Sequence, residues 1–161
     1  MKSRITVAFF GHRYIDDFFR TESKLQDWIT VLLCGNGYVE FLVGRNGDFD
    51  QMVSSTVLRC KRDLRDDNSA LVLVLPYSTS EFKANEDSFY NYYDEIEICE
   101  DAAESHFKNA IQVRNRSMVD RADMIICYVK KNEGGAYQTI QYAKRIGKTI
   151  INLAESGEQS Q

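Results

Sequence analysis

From residue 4 to residue 10 the chain is β-branched and aromatic and stops at Gly11, which predicts a first strand ending in a turn. Leu25, Trp28, Ile29, Leu32 and Leu33 recur at spacings of three and four, the stripe of an amphipathic helix over 21–33 that Gly35-Asn36-Gly37 ends. A second strand is predicted over 38–43. Gly44 to Gly47 forms a turn, and Asp48 is placed to N-cap a helix running through Met52, Val53, Val57 and Leu64. Leu71 to Leu75 is apolar at every position, as expected of a strand covered on both faces, and Pro76 ends it. Further on, the pattern predicts a short helix over 88–93 and a short strand over 95–99. It continues with a helix over 105–121, a strand over 123–129, a helix over 134–146 and a last strand over 148–153.

Strands alternating with helices across short glycine turns imply βαβ units, hence an α/β fold of the Rossmann-like, three-layer sandwich kind with a mostly parallel sheet. The 161 residues fit a single domain over 1–153, followed by a polar tail over 154–161. No uncharged run approaches the roughly 20 apolar residues of a bilayer span, so no membrane partner is expected. The N-terminus shows no signal-peptide pattern, and a cytoplasmic location is the expectation. Cys34, Cys60, Cys99 and Cys127 form no C-x-x-C pair and have only His12 and His106 as imidazole partners, so they read as buried free thiols and no metal site is expected.

The formal net charge is −4, which weighs against duplex DNA and anionic membranes. That acid is concentrated. Residues 84–105 hold eight carboxylates and no Lys or Arg, leaving twenty basic against sixteen acidic residues elsewhere, a balance of +4.

In parallel sheets ligands bind beyond the carboxyl ends of the strands, so the loops there are the informative ones. After the first strand comes Gly11-His12-Arg13, which combines a close backbone approach, an imidazole and a forked cation suited to phosphate. After the second comes Gly44-Arg45-Asn46-Gly47-Asp48-Phe49-Asp50, leading into a helix N-terminus. There Asp48 and Asp50 could cap the helix, hold a ribose hydroxyl or bind a metal. The third loop, Lys130 to Thr139, again joins strand, glycine pair and helix through Gly134, Gly135 and Ala136. Gly147-Lys148-Thr149 imitates the end of a P-loop, but it connects helix to strand and reads as a helix C-cap.

Thr6 to Arg13, Gly44 to Asp50, Leu75-Pro76-Tyr77, Arg114 to Asp120, and Gly134-Gly135 through Ala143 together resemble the SLOG superfamily, in particular its small single-domain bacterial and phage branch. That superfamily includes the Lonely Guy phosphoribohydrolases, the DprA DNA-processing proteins and sensors of nucleotide-derived ligands. The resemblance implies a Rossmannoid fold binding a nucleotide or nucleotide sugar, and a homodimer through helices beside the site. Arg114, Met118 and Ala122-Asp123 match the Lonely Guy pattern. Asn115 stands where that pattern has its lysine, Glu133 where it has proline, and Tyr142 where its catalytic glutamate would follow.

Cleavage of an N-glycosidic bond develops oxocarbenium-like charge and needs a positioned carboxylate, so the departures leave open whether this chain is an enzyme. Asp48, Asp50 and Glu133 are the candidate carboxylates, with Arg114 beside them. The leading expectation is a sensor or regulatory module binding a phosphate-bearing small molecule of the nucleoside monophosphate, ADP-ribose or NAD type, with no required cofactor. Gly11, His12, Arg13, Gly44, Asn46, Gly47, Asp48, Arg114, Gly134, Gly135, Ala136 and Thr139 would form its site. A phosphoribohydrolase-like hydrolase or transferase is the alternative, and a protein–protein interaction module using Phe89, Tyr90, Tyr92 and Tyr93 is a further one. Net charge ranks nucleic acid last among the partners.

Overall fold

The computed structural model describes residues 3–155. Most of the tail expected at 154–161 lies outside them. A six-stranded sheet carries the fold. Its strands are β1 (Arg4–Gly11), β2 (Tyr38–Val43), β3 (Ser69–Leu75), β4 (Glu95–Ile98), β5 (Met124–Tyr128) and β6 (Thr149–Asn152). They lie in the order β4-β3-β2-β1-β5-β6 and every pair is parallel. The order reverses at β1, which pairs with β2 on one side and β5 on the other. This is the switch point at which adjacent crossovers diverge and leave a crevice.

Alternate side chains of each strand enter opposite cores. Val7, Phe9, Phe41, Leu73 and Ile126 face α1 (Phe18–Gly35) and α2 (Asp48–Asp63), packing on Leu25, Ile29, Phe49 and Val53. Ala8, Phe10, Leu42, Val72 and Ile125 face α6 (Ala110–Arg121) and α7 (Gly135–Arg145), packing on Met118, Val119, Ile140 and Ala143. Two buried faces explain why β3 is apolar throughout, and each large side chain so covered contributes roughly 1.5–3 kcal/mol.

Between β3 and α6 the chain makes three one- or two-turn helices, α3 (Ser80–Ala84), α4 (Glu86–Tyr92) and α5 (Glu100–Glu104), and a 3₁₀ turn, Phe107–Asn109. The periodicity anticipated α4 and β4 but missed α3 and α5, because five residues are too few to show a stripe. The helix expected over 105–121 begins at Ala110, with the 3₁₀ turn before it.

Two end signals turn out differently. Gly47, with φ of 115°, precedes α2, and Asp48 is the first helical residue instead of the cap. At Gly147 the C-cap expectation holds: φ is 80°, its N–H donates to the Lys144 carbonyl, and the Lys148 N–H donates to the Ala143 carbonyl. Those two bonds are the Schellman pair. Of the four thiols, Cys60 and Cys127 are buried and Cys99 is half-buried, but Cys34 is exposed, which corrects the reading of all four as buried. No described helix is long and apolar enough to cross a membrane.

Candidate functional site

The loops after β1, β2 and β5 converge on one crevice of about 410 Å³ at the switch point. Gly11, His12, Arg13, Gly44, Asn46, Gly134, Gly135 and Ala136 line it from the loops, and Arg114 lines it from α6. Gly47, Asp48 and Thr139 do not line it, nor does Glu133.

Several of these residues are in place for structural reasons. A Cβ on Gly11 would come within 2.6 Å of Phe49 Cβ, so this glycine accommodates the core. Gly47 combines its positive φ with the Arg13 backbone 2.6 Å from where a Cβ would stand. Asp48 braces the loop after β1: its N–H donates to the Arg13 carbonyl at 2.8 Å, and its carboxylate accepts from the Ile15 N–H at 3.3 Å. His12 ties the ends of β1 and β5 together. Its N–H donates to the Tyr128 carbonyl, and its Nε2 accepts from the N–H groups of Lys130 (2.9 Å) and Lys131 (3.1 Å). Burial, with the Lys131 charge adding, lowers its pKa and keeps the ring neutral. Arg13, by contrast, is exposed and forms no ion pair among the described residues.

Arg114 is the unusual group. It is only 5% exposed. Its Nε donates to Asn115 Oδ1 at 2.8 Å and its Nη1 to the Val74 carbonyl at 2.7 Å. Asn115 Nδ2 in turn donates to Thr139 Oγ1 at 3.0 Å, and Thr139 donates to the Gly135 carbonyl at 2.8 Å. This chain of buried bonds fixes the guanidinium plane and couples it to the start of α7. Thr139, wholly buried, therefore positions the site from behind. Asn115 both lines the crevice and holds Arg114 in place, a role the sequence showed only as a departure from a lysine.

No carboxylate forms an ion pair with Arg114 among the described residues. Asp50 comes nearest: its Oδ2 and the Arg114 Nη atoms flank Gly44, 2.9, 3.2 and 3.4 Å from where a Cβ on that glycine would stand. Asp50 accepts the Asn46 N–H at 2.7 Å. Burial pushes its carboxyl above the ordinary range, opposed by that hydrogen bond and by Arg114. Burial likewise pulls the Arg114 pKa down, opposed by Asp50. Among the carboxylates considered for cleavage, Asp50 alone lines the crevice.

The two helix N-termini differ. That of α2 already carries Asp48 and Asp50 in its first turn. α7 is preceded by Gly134 at its N-cap, φ 95°, and has no capping side chain and no acid in its first turn. Its first N–H groups have no partner within the helix, and the dipole makes that end attractive to an anion.

The residues 84–105 are partly answered by cations outside the segment. Asp94 pairs with Lys61 at 2.9 Å, and Glu97 with Arg121. Glu40, Glu95 and Glu97 bring carboxylate oxygens within 4.8 Å of one another, but Glu40 also accepts from Arg121 and Thr6. Of the aromatic group, Phe89 and Tyr93 are buried, whereas Tyr90 and Tyr92 are 56% and 40% exposed.

No family model matches the chain, and no characterised protein matches it by sequence. Two solved structures share its fold. DNA processing protein A from Helicobacter pylori, in a study of its single-stranded DNA binding mode, is 14% identical with a TM-score of 0.63, covering 91% of this chain and 63% of that one. DprA from Streptococcus pneumoniae is 16% identical with a TM-score of 0.63, covering 91% of this chain and 49% of that one. This chain thus spans less than two thirds of either protein. The low ranking of nucleic acid among the partners is overturned, because the same fold belongs to a protein studied for binding single-stranded DNA despite the acidic balance found here. What the likeness shows of this chain is a DprA-like, Rossmann-type fold.

Proposed function

We propose that this chain, as a single-domain SLOG-type protein, binds the phosphate of a nucleotide-derived small molecule in the switch-point crevice and acts as a binding module. Arg114 carries the reading. A guanidinium 5% exposed and without an ion pair is costly unless an anion completes it. The space it faces is also bordered by the uncapped start of α7 and by Arg13. A phosphate there accepts from Arg114 and from the α7 N–H groups, with Arg13 adding charge at the mouth. Nucleoside monophosphates, ADP-ribose and NAD all offer that group.

The test is thermal stability of the protein titrated with adenosine monophosphate, ADP-ribose and NAD. A ligand at 100 times its Kd stabilises by about 2.7 kcal/mol, and Arg114→Gln abolishes the shift. A flat response of the unsubstituted protein across the panel overturns the reading.

The shared fold supports a second reading in which the phosphate belongs to single-stranded DNA. A labelled oligothymidylate distinguishes the two. If the oligonucleotide binds and adenosine monophosphate at millimolar concentration fails to displace it, the DNA reading stands and the small-molecule one falls.

A further inference from the structure

A second cavity, of about 470 Å³, opens on the far side of Gly44 and Asp50, which line both spaces. Its volume lies within the roughly 300–1,000 Å³ typical of small-ligand pockets. Two kinds of wall enclose it. Phe89, Tyr92 and Tyr93, brought in by α4, supply aromatic surface, while Gln51 and Ser54 from α2, with Asn85, supply uncharged hydrogen-bonding groups. The one cation in the wall is already committed: Arg45 donates to both oxygens of Glu81 at 3.2 Å and to the Tyr93 hydroxyl at 3.0 Å, and lies 4.5 Å over the Phe89 ring.

Ser54 marks the cavity as unfinished. It is 2% exposed, yet its hydroxyl makes no hydrogen bond among the described residues. A helical serine usually returns its hydroxyl to a carbonyl one turn back, and a buried one left without a partner carries a desolvation cost. A polar atom of a ligand would remove that cost.

We propose that this cavity is the second compartment of the crevice and takes the uncharged nucleobase of the nucleotide whose phosphate sits at Arg114, an inference that rests on the reading above. The base meets the ring of Tyr92, which is 40% exposed, and Ser54 and Gln51 hydrogen-bond its edge. The sugar crosses Gly44, where the Asp50 carboxyl stands at the junction and accepts from its hydroxyls. With every charge in the wall paired or shared with the crevice, the compartment selects a neutral planar ring over a second phosphate.

Ribose 5-phosphate and the four ribonucleoside 5′-monophosphates, titrated calorimetrically, test this. At least one nucleotide binds the unsubstituted protein about tenfold or more tightly than ribose 5-phosphate, the scale of a single stacked base. Ser54→Leu, which fills the compartment, and Tyr92→Ala, at a position 40% exposed and therefore safe for the fold, both erase that difference and leave the affinity for ribose 5-phosphate unchanged. Nucleotides and ribose 5-phosphate binding alike, or a base preference surviving both substitutions, overturns the second compartment while leaving the phosphate site standing. Failure of ribose 5-phosphate and all four nucleotides to bind overturns the phosphate site and this inference with it.

Discussion

Asp50 and Arg114 sit on either side of Gly44 without an ion pair, and burial works against the charged form of each. For an incoming anion the carboxyl is therefore the adverse group and the guanidinium the favourable one. Sulfate isolates this effect, because it does not titrate where carboxyls do. As pH rises from about 4, the ordinary carboxyl value, through the raised value of Asp50, the carboxylate forms and sulfate affinity falls. Asp50→Asn flattens that profile and binds sulfate more tightly at pH 7, by about 1 kcal/mol for one screened like charge. The linkage to folding has the same direction. A carboxyl whose folded pKa is raised contributes stability that is complete below the unfolded value and lost as pH rises through the folded one, so Asp50→Asn raises the melting temperature of the ligand-free protein more at pH 7 than at pH 4. A sulfate titration and a melting series across pH measure both. At this scale the sequence named Arg114 and the glycine loops, and the structure lines one crevice with them. It could not separate Asp48 from Asp50, because two carboxylates two residues apart at a helix start look equivalent until the backbone turns one toward Ile15 and the other toward the crevice.

The long elements were legible because their burial is simple: two covered faces for the strands and one stripe for each helix. The boundaries depended on glycine, whose purpose the sequence did not reveal. Gly35 and Gly47 illustrate the difference. Gly35 ends α1 with nothing within 4 Å of an added Cβ, whereas Gly47 combines φ of 115° with the Arg13 backbone 2.6 Å from one. Alanine at the first removes unfolded-state freedom and improves helix propensity, and the protein gains about 0.5–1 kcal/mol. Alanine at the second forces a left-handed conformation and a steric contact together, and the loss is about 1–3 kcal/mol. Urea midpoints of the two variants move in opposite directions, and Gly47→Ala also weakens sulfate binding in the crevice because Arg13 shifts with the loop. The short helices α3, α4 and α5 lie at the limit of sequence reading. α3 meets α4 through aromatic packing, Phe82 against Phe89 with ring centroids 5.3 Å apart, and no pattern of five residues encodes that contact.

Across the whole molecule the net charge of −4 conceals an arrangement. The acidic residues 84–105 lie at the β4 side of the sheet, and α4 forms a wall of the cavity beside the crevice. A long polyanion reaching the crevice from that side passes these carboxylates, and on the β5 side Lys130 is already paired with Asp16 at 3.0 Å. Arg13 and Arg114 line the crevice without an ion pair among the described residues, and Lys131 stands at its edge, its N–H on His12. Three cations neutralise about three phosphates, and each phosphate neutralised on a single strand contributes about −0.7 to the slope of log affinity against log salt. For oligothymidylates the slope is thus no steeper than about −2, and affinity stops rising once the strand exceeds the few nucleotides that reach those residues. Fluorescence anisotropy with strands of increasing length, repeated at several salt concentrations, measures both quantities. A slope well beyond −2 with affinity still climbing would show that the acidic surface does not confine the ligand and that an extended DNA track, with a small-molecule crevice at most secondary, organises the molecule.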